Sequence, residues 1–558
     1  MRASYAAHRT RSTRGVIMSM ARRSILCSVS MFSLAALPGL SGGWGAAPDG
    51  DAPLPASGDA PSPASEVSKT VFQHGVASGD PLPDAVILWT RVTAGKAGAV
   101  AVTWQIALDA GFTRIVGSGA LLTDEERDHT VKVDAGGLDP GKTYYYRFIA
   151  LGGSSPVGRT RTAPRGRAGR LRFAVASCAS YAHGLFHGYR HIAARLDLDA
   201  VIHLGDYIYE FGAGQYGSAR HYEPAHEIVT LADYRARYAQ YRRDRDLQAA
   251  HQQHPFITVW DDHELANNTW KGGAGNHAWP AEGAWEERRA VAQRAYAEWM
   301  PIRERGEELR CAGRIWRALR YGDLVDLFLL DTRAWGRDRQ ADPGDRAAIE
   351  APARTILGRD QEAWLRAELA GSTAAWKVIG QQVLMGQLPQ DLNTDAWDGY
   401  PAARQRFFEL LDEERVRDVV VLSGDTHASW AIDLAPAPLD PARYDAATGR
   451  GALAVEIAVP GITSPWLTEE QARAAEPLFL ANPHVQYADL WRRGYAILDV
   501  TPERVQGAWF LYDAPERPQV DEVFAAAFAA RRGESHLRRE EAAALAIDDP
   551  PEAAPRVS

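Results

Sequence analysis

The stretch Val201-Ile-His-Leu-Gly-Asp206-Tyr-Ile-Tyr209-Glu210 decides the fold. It opens as a short apolar run, the pattern of a buried strand, and breaks at a glycine. Directly beyond the break stand an aspartate and two tyrosines. Three other stretches repeat the arrangement: Phe173-Ala-Val-Ala-Ser-Cys178, Ile257-Thr-Val-Trp-Asp261-Asp262-His263-Glu264, and Val419-Val-Val-Leu-Ser-Gly424-Asp425-Thr-His427. Taken singly, each has a plain packing explanation. A cysteine after a strand is usually a small buried hydrophobe, and a Gly-Asp pair is usually a turn. Four strand ends that each deliver Cys, Asp, Tyr or His are harder to explain by packing. In open α/β sheets, ligands bind beyond the carboxyl ends of the strands.

Outward from these stretches, apolar runs recur at Leu324–Leu330 and Trp376–Ile379, most followed by turn residues and helical periodicity. Later runs at Val455–Val459, Tyr495–Val500 and Ala508–Tyr512 read as strands that close the sheet. The pattern predicts a layered α/β domain over 170–515. Helices are expected over 230–250, 283–300 and 360–370. Thr230 and Asp233 form a capping-box pair at the start of the first, and Tyr234, Tyr238 and Tyr241 share a face that reads as core packing. His203, inside an apolar strand, reads as a satisfied core residue. The charged, amphipathic end of the chain predicts a C-terminal helix and tail over 516–558. Upstream, 70–165 carries β-branched and aromatic runs separated by turns and predicts a small all-β sandwich of immunoglobulin or fibronectin type. Pro164–Gly169 reads as a linker.

The first 47 residues hold six arginines and no acid. Arg22-Arg23 precede a moderately apolar stretch, the signature of a secretory signal of the twin-arginine type. Residues 48–69, rich in Pro, Ala, Ser and Asp, predict a disordered linker. The chain is therefore expected to be exported, periplasmic or extracellular, through the twin-arginine machinery. Its 62 basic and 71 acidic residues leave a net charge of −9, which argues against a stable nucleic-acid partner. No later apolar run approaches the ~18 residues of a bilayer span. Three cysteines, Cys27, Cys178 and Cys311, do not make a disulfide framework, and Cys311 reads as structural.

The four strand-end motifs resemble those of the calcineurin-like metallophosphoesterases. They depart from that pattern with Cys178 in the place of the first aspartate, with Asp-Asp-His-Glu, and with Gly-Asp-Thr-His. The departures match the alkaline phosphatase D (PhoD-like) family. So do Phe72-Gln-His-Gly-Val-Ala-Ser-Gly-Asp-Pro81, Leu88-Trp-Thr-Arg91 and the segment Tyr234 to Gln248. The resemblance runs from about residue 70 to 515. It implies a layered metallophosphoesterase-like β-sandwich core flanked by helices, and a secreted phosphoesterase acting on mono- and diesters through attack of a metal-bound hydroxide at a dinuclear site. By resemblance, Cys178, Asp206, Tyr209 and His427 hold one metal, and Asp206 bridges to a second held also by Asp262 and Asp425.

The donor chemistry agrees with that assignment. Thiolate and phenolate favour Fe(III) at the first site, with zinc as the alternative, which Tyr209 disfavours. An all-carboxylate second site suits Ca²⁺, or else Mg²⁺ or Mn²⁺. His263 is either a general acid for the leaving oxygen or a structural histidine paired with Asp261 or Glu264. Asn267 and Asn268 either orient the site or cap a turn. Arg333 either clamps phosphate or makes an ion pair. Two other functions remain open: a phospholipase-D-like phosphodiesterase acting on lipids or cell-wall polymers, and a catalytically dead secreted binding protein. Substrate choice is expected to reside in loops 211–229, 270–283 and 385–400, with Trp270, Trp279 and Trp397. Oligomeric state is not legible.

Overall fold

A computed structural model describes residues 70–95, 97–303, 313–388 and 393–556. The expected signal and linker, with Cys27 and Cys311, lie outside the described residues. Two large sheets carry the α/β part. In the ten-stranded sheet the strands Leu171–Ala176, Ala200–His203 and Pro255–Thr258 lie side by side and parallel. In the seven-stranded sheet Val325–Leu329, Trp376–Gly380, Val419–Ser423 and Ala454–Ala458 are likewise parallel. Leu171–Ala176 and Val419–Ser423 are buried along their whole length. That is why they read as unbroken apolar runs rather than alternating ones. The sheets pack against each other through Phe173 on Tyr321, edge to face at 5.1 Å, and through Trp509, whose indole N–H donates to the carbonyl of Ala458 at 2.9 Å. Helices Arg359–Gly371, Pro401–Glu413 and Glu469–Leu480 contribute Leu365, Phe407 and Phe479 to a second core that also holds Val421 and Trp430 of the seven-stranded sheet.

The expected helix over 230–250 is two helices. Leu231–Arg242 starts from the Thr230/Asp233 capping box, and Arg245–Gln253 starts afresh from Asp244, whose carboxylate takes the Asp246 and Leu247 N–H groups. Tyr234, Tyr238 and Tyr241 are wholly buried. The other expected helices form as Trp285–Trp299 and Arg359–Gly371.

The N-terminal β-region has its own core, built from Val86, Leu88, Val102, Tyr146 and Phe148 among others. It is also joined to the α/β part by backbone pairing. Val76–Gly79 runs parallel to Pro255–Thr258 and continues the ten-stranded sheet through Ala85–Arg91 and Thr130–Gly136. Gly79 permits this junction, since a Cβ there would collide with the carbonyls of Phe256 and Pro301.

The helix expected within 516–558 is not formed. Val523–Arg531 is a strand paired antiparallel with Arg504–Tyr512, and Arg538–Glu540 pairs onto it. Its alanines favour helix locally. The unpaired edge of Arg504–Tyr512 and the burial of Phe528 against Tyr487 and Trp509 outweigh that preference. Beyond it the tail is extended and pinned. Leu545 accepts from Arg172 at 2.8 Å, Glu552 from Tyr145 at 2.6 Å and Pro551 from Arg159 at 3.2 Å. Among the described residues, no helix is long and apolar enough to cross a membrane.

Candidate metal centre

The carboxyl ends of the two parallel sets meet. Ser177 bridges to Gly461 of the second sheet's side, and the Cys178 N–H donates to the carbonyl of Gly205 at 3.1 Å. The turns are tight enough to force left-handed backbone on non-glycine residues: φ is 57° at Cys178, 55° at Asp206, 58° at Asp425 and 53° at His427. Such a conformation costs roughly 1–2 kcal/mol per residue. Four cases among the expected ligands mark a strained, functional locus. Gly205 is required here, because a Cβ would run into the backbone of Asp261.

The ligand atoms of Cys178, Asp206 and His427 lie within 4.8 Å of one another. The Tyr209 hydroxyl joins them, donating to Asp206 Oδ2 at 2.8 Å and lying 3.4 Å from His427 Nε2. His427 Nδ1 is 2.9 Å from the carbonyl of Pro465, which leaves Nε2 facing the cluster. Asp206 also groups with Asp262 and His263, and Asp262 with Asp261 and Asp425. All six expected ligands thus form one chain of contacts with Asp206 in its middle.

His263 does not have the partner that the structural expectation gave it. Its Nδ1 lies 2.7 Å from Glu210 Oε2, not against Asp261 or Glu264. The other Glu210 oxygen accepts from the Asn267 N–H at 2.7 Å and the Asn276 amide at 2.8 Å. The His263 ring stacks on Tyr209 at 4.2 Å. Glu264 instead accepts the backbone N–H groups of Asp206, Tyr207 and Asp261, which locks two of the metal-side turns together. Asn267 and Asn268 act here through their backbone: Asn268, at φ 55°, donates its N–H to Asp262 Oδ2. Arg333 is fully buried, with Nε on Asp261 and its two terminal nitrogens 2.7 Å from Asp395 and 2.6 Å from Asp425. His203 is a core residue, bonded to the Tyr189 hydroxyl at 2.7 Å, and burial lowers its pKa to about 3. Trp397 is buried and Trp270 half-buried, whereas Trp279 is 72% exposed.

The electrostatics describe a donor set that calls for cations. Burial, reinforced by Asp206, Asp261 and Asp425, pushes the Cys178 thiol well up. Burial and neighbouring carboxylates raise Asp262, and they raise Asp425 to about 7 despite Arg333. Burial works against Asp206 too, yet the charges of His263 and His427 and the Tyr209 hydrogen bond hold it below the ordinary carboxylate range. Burial likewise opposes the imidazolium of His263, but Glu210, Asp206 and Asp262 raise its pKa well above the usual value. Asp262 Oδ1 is buried without a hydrogen-bond partner. Such an atom is costly unless a cation takes it. Residues and geometry therefore fit metal ions at both ends of the cluster.

Sequence reasoning passed over the supporting loop Gly461-Ile-Thr-Ser-Pro465. It touches three expected ligands: Thr463 and Ser464 N–H on the Cys178 carbonyl, Ser464 Oγ 2.6 Å from the Tyr209 hydroxyl, and the Pro465 carbonyl on His427. Nothing in its local pattern marks it. Glu210 ends the opening stretch, yet its role as the partner of His263 was passed over as well.

The chain belongs to the PhoD-like phosphatase family, whose model matches residues 173–509, with the family's N-terminal-domain model matching 58–164. It is similar to alkaline phosphatase D of Bacillus subtilis (strain 168), 36% identical over 502 residues, covering 85% of this chain and 83% of the relative. A solved structure of PhoD aligns with a TM-score of 0.77 at 36% identity, covering 85% of this chain and 93% of that one. The chain is a phosphoric ester hydrolase.

Proposed function

We propose that the protein is an exported alkaline phosphatase D-like enzyme that hydrolyses phosphate mono- and diesters at a dinuclear centre within a metallophosphoesterase-type sandwich. Fe(III) would be held by Cys178, Asp206, Tyr209 and His427, and Ca²⁺, or Mg²⁺ or Mn²⁺, by Asp206, Asp262 and Asp425. The observation that carries the reading is the convergence of a thiol, a phenol and an imidazole on Asp206, which groups in turn with Asp262 and, through it, with Asp425. Two ions held by these residues would supply charge neutralisation at the phosphoryl oxygens and an activated water.

The remaining chemistry belongs to the chain. Glu210 takes His263 Nδ1, so Nε2 is the nitrogen left to pass a proton to the leaving oxygen. The stacking of His263 on Tyr209 fixes the ring plane. Asn268 orients Asp262, and Ser464 orients Tyr209. Export in a folded, metal-loaded state is supported by Arg22-Arg23 ahead of the apolar stretch and by the depth at which Cys178 and Tyr209 are buried. The test is metal analysis of protein recovered from its exported fraction, with an activity panel across mono- and diesters. Two metals per chain and turnover of both ester classes are expected. Activity without bound metal would end the reading.

A further inference from the structure

Arg333 has no part in the chemistry proposed above, yet it sits among its carboxylates. It follows the strand Val325–Leu329 on a rigid turn. Asp331 Oδ1 accepts the N–H groups of Arg333 and Ala334, each at 2.8 Å, and Gln382 takes the N–H and hydroxyl of Thr332 at 2.9 and 2.6 Å. The guanidinium then spans three acids: Asp261 on Nε, Asp395 at 2.7 Å on one terminal nitrogen and Asp425 at 2.6 Å on the other, which also lies 3.7 Å from Asp262 Oδ1. Asp395 is itself fixed from outside, by Arg337 and Gln340, each at 2.6 Å. All three guanidinium nitrogens are thereby engaged, so a phosphate clamp would first have to break an ion pair.

The contacts fall into two kinds. Asp261 and Asp395 are not among the expected ligands and anchor the guanidinium. Asp425 is an expected ligand of the second ion, and one of its two oxygens, Oδ1, is held by Arg333 at 2.6 Å. A divalent cation beside Asp262 and Asp425 would also stand close to a fixed positive charge in a buried, weakly screened place. Among the described residues the guanidinium reaches Asp261, Asp262, Asp395 and Asp425, so the same argument does not extend to Cys178, Tyr209 and His427.

We infer that Arg333 is a resident cation that competes with the second ion for Asp425. Ion entry takes Asp425 Oδ1 from the guanidinium, while Asp261 and Asp395 keep Arg333 in place. The inference rests on the two-ion reading above. Its consequence is a second ion held more loosely than its carboxylate set alone would dictate, and exchangeable while the first stays bound.

The test is calorimetric titration of CaCl₂ into protein that keeps its first metal and has been stripped of divalent ions by a chelator. Wild type is compared with Arg333→Gln and Asp395→Asn, and circular dichroism and first-metal content are read alongside. Arg333→Gln removes the competitor and is expected to tighten Ca²⁺ binding about tenfold or more. Asp395→Asn removes an outer anchor, leaves the guanidinium more firmly on Asp425, and is expected to weaken Ca²⁺ binding several-fold. A merely positioning role would weaken both. Folded Arg333→Gln with unchanged or weaker Ca²⁺ binding overturns the inference. If that variant does not fold, unchanged or tighter binding in Asp395→Asn overturns it alone. Wild type that binds none of Ca²⁺, Mg²⁺ and Mn²⁺, each titrated in the same way, beyond its first metal overturns the two-ion reading itself, an outcome distinct from the wrong sign in a variant.

Discussion

Replacing Glu210 with glutamine isolates the pair that the sequence did not predict. The carboxylate lies 2.7 Å from His263 Nδ1 and is the leading influence raising that imidazole against burial. A hydrogen bond to a charged group contributes about 1.5–3 kcal/mol. At 1.36 kcal/mol per tenfold change in proton affinity, its loss moves the titration by about one to two pH units. The sign follows from the direction of the perturbation. A histidine whose pKa is raised by folding keeps its proton through neutral pH and loses it as pH rises through the folded value, so an acid role fades on the alkaline side. Glu210→Gln should therefore move the alkaline limb of kcat/KM to lower pH by about that amount. It should also lower stability, because the new amide faces the Asn267 N–H and the Asn276 side chain, which now donate to an oxygen. The assay is kcat/KM against pH for an alkyl ester and an activated aryl ester, on wild type, Glu210→Gln and His263→Ala. The alkyl ester should suffer more in both variants, within the ~10²–10⁴-fold that general acid catalysis supplies. An unmoved alkaline limb, or equal losses for both esters, would refute the acid role of His263.

Other outcomes follow from the same geometry. Asp262→Asn keeps an oxygen donor but loses a charge, so Ca²⁺ affinity should fall about 10–100-fold, with activity partly restored by added Ca²⁺ in a titration. Activity that no Ca²⁺ concentration restores would count against a divalent ion at that carboxylate. Truncation after Glu540 removes the tail carbonyls that accept from Arg172, Tyr145 and Arg159 and should lower the urea midpoint, at about 0.5–1.5 kcal/mol per lost bond, while kcat at 25 °C stays unchanged. A changed kcat with an unchanged midpoint would place the tail at the centre instead. Arg22→Lys with Arg23→Lys should hold the enzyme in the cytoplasm on fractionation, and undiminished exported enzyme would remove the twin-arginine proposal.

Much of the architecture was legible because parallel strands buried on both faces have no alternation to hide. Val419–Ser423 and Leu171–Ala176 read directly from their apolar runs. The candidate residues Cys178, Asp206, Tyr209, Asp262, Asp425 and His427 stood at the ends of such runs, and the structure gathers them. What was missed has a common cause. Phe524-Ala-Ala-Ala-Phe528 is helix-prone in isolation, and only the open edge of the preceding strand, Arg504–Tyr512, makes it a strand. Glu210 reaches His263, 53 positions away in sequence, and Ser464 reaches Tyr209 across 255. Pairings of that separation leave no periodic trace. The same holds for Arg333, whose three carboxylates come from three separate segments.

The central claim is that Asp206 is shared by two different ions. It is tested most directly by counting metals, by elemental analysis with a visible spectrum, in exported wild type and in Asp206→Ala. Wild type should carry one iron and one calcium per chain and absorb visible light, since the Tyr209 phenolate and Cys178 thiolate give charge-transfer bands to Fe(III). Asp206→Ala should lose calcium, most of its iron and nearly all activity together. A colourless, fully active wild type with stoichiometric zinc, or an Asp206→Ala variant that keeps both metals, would contradict the account.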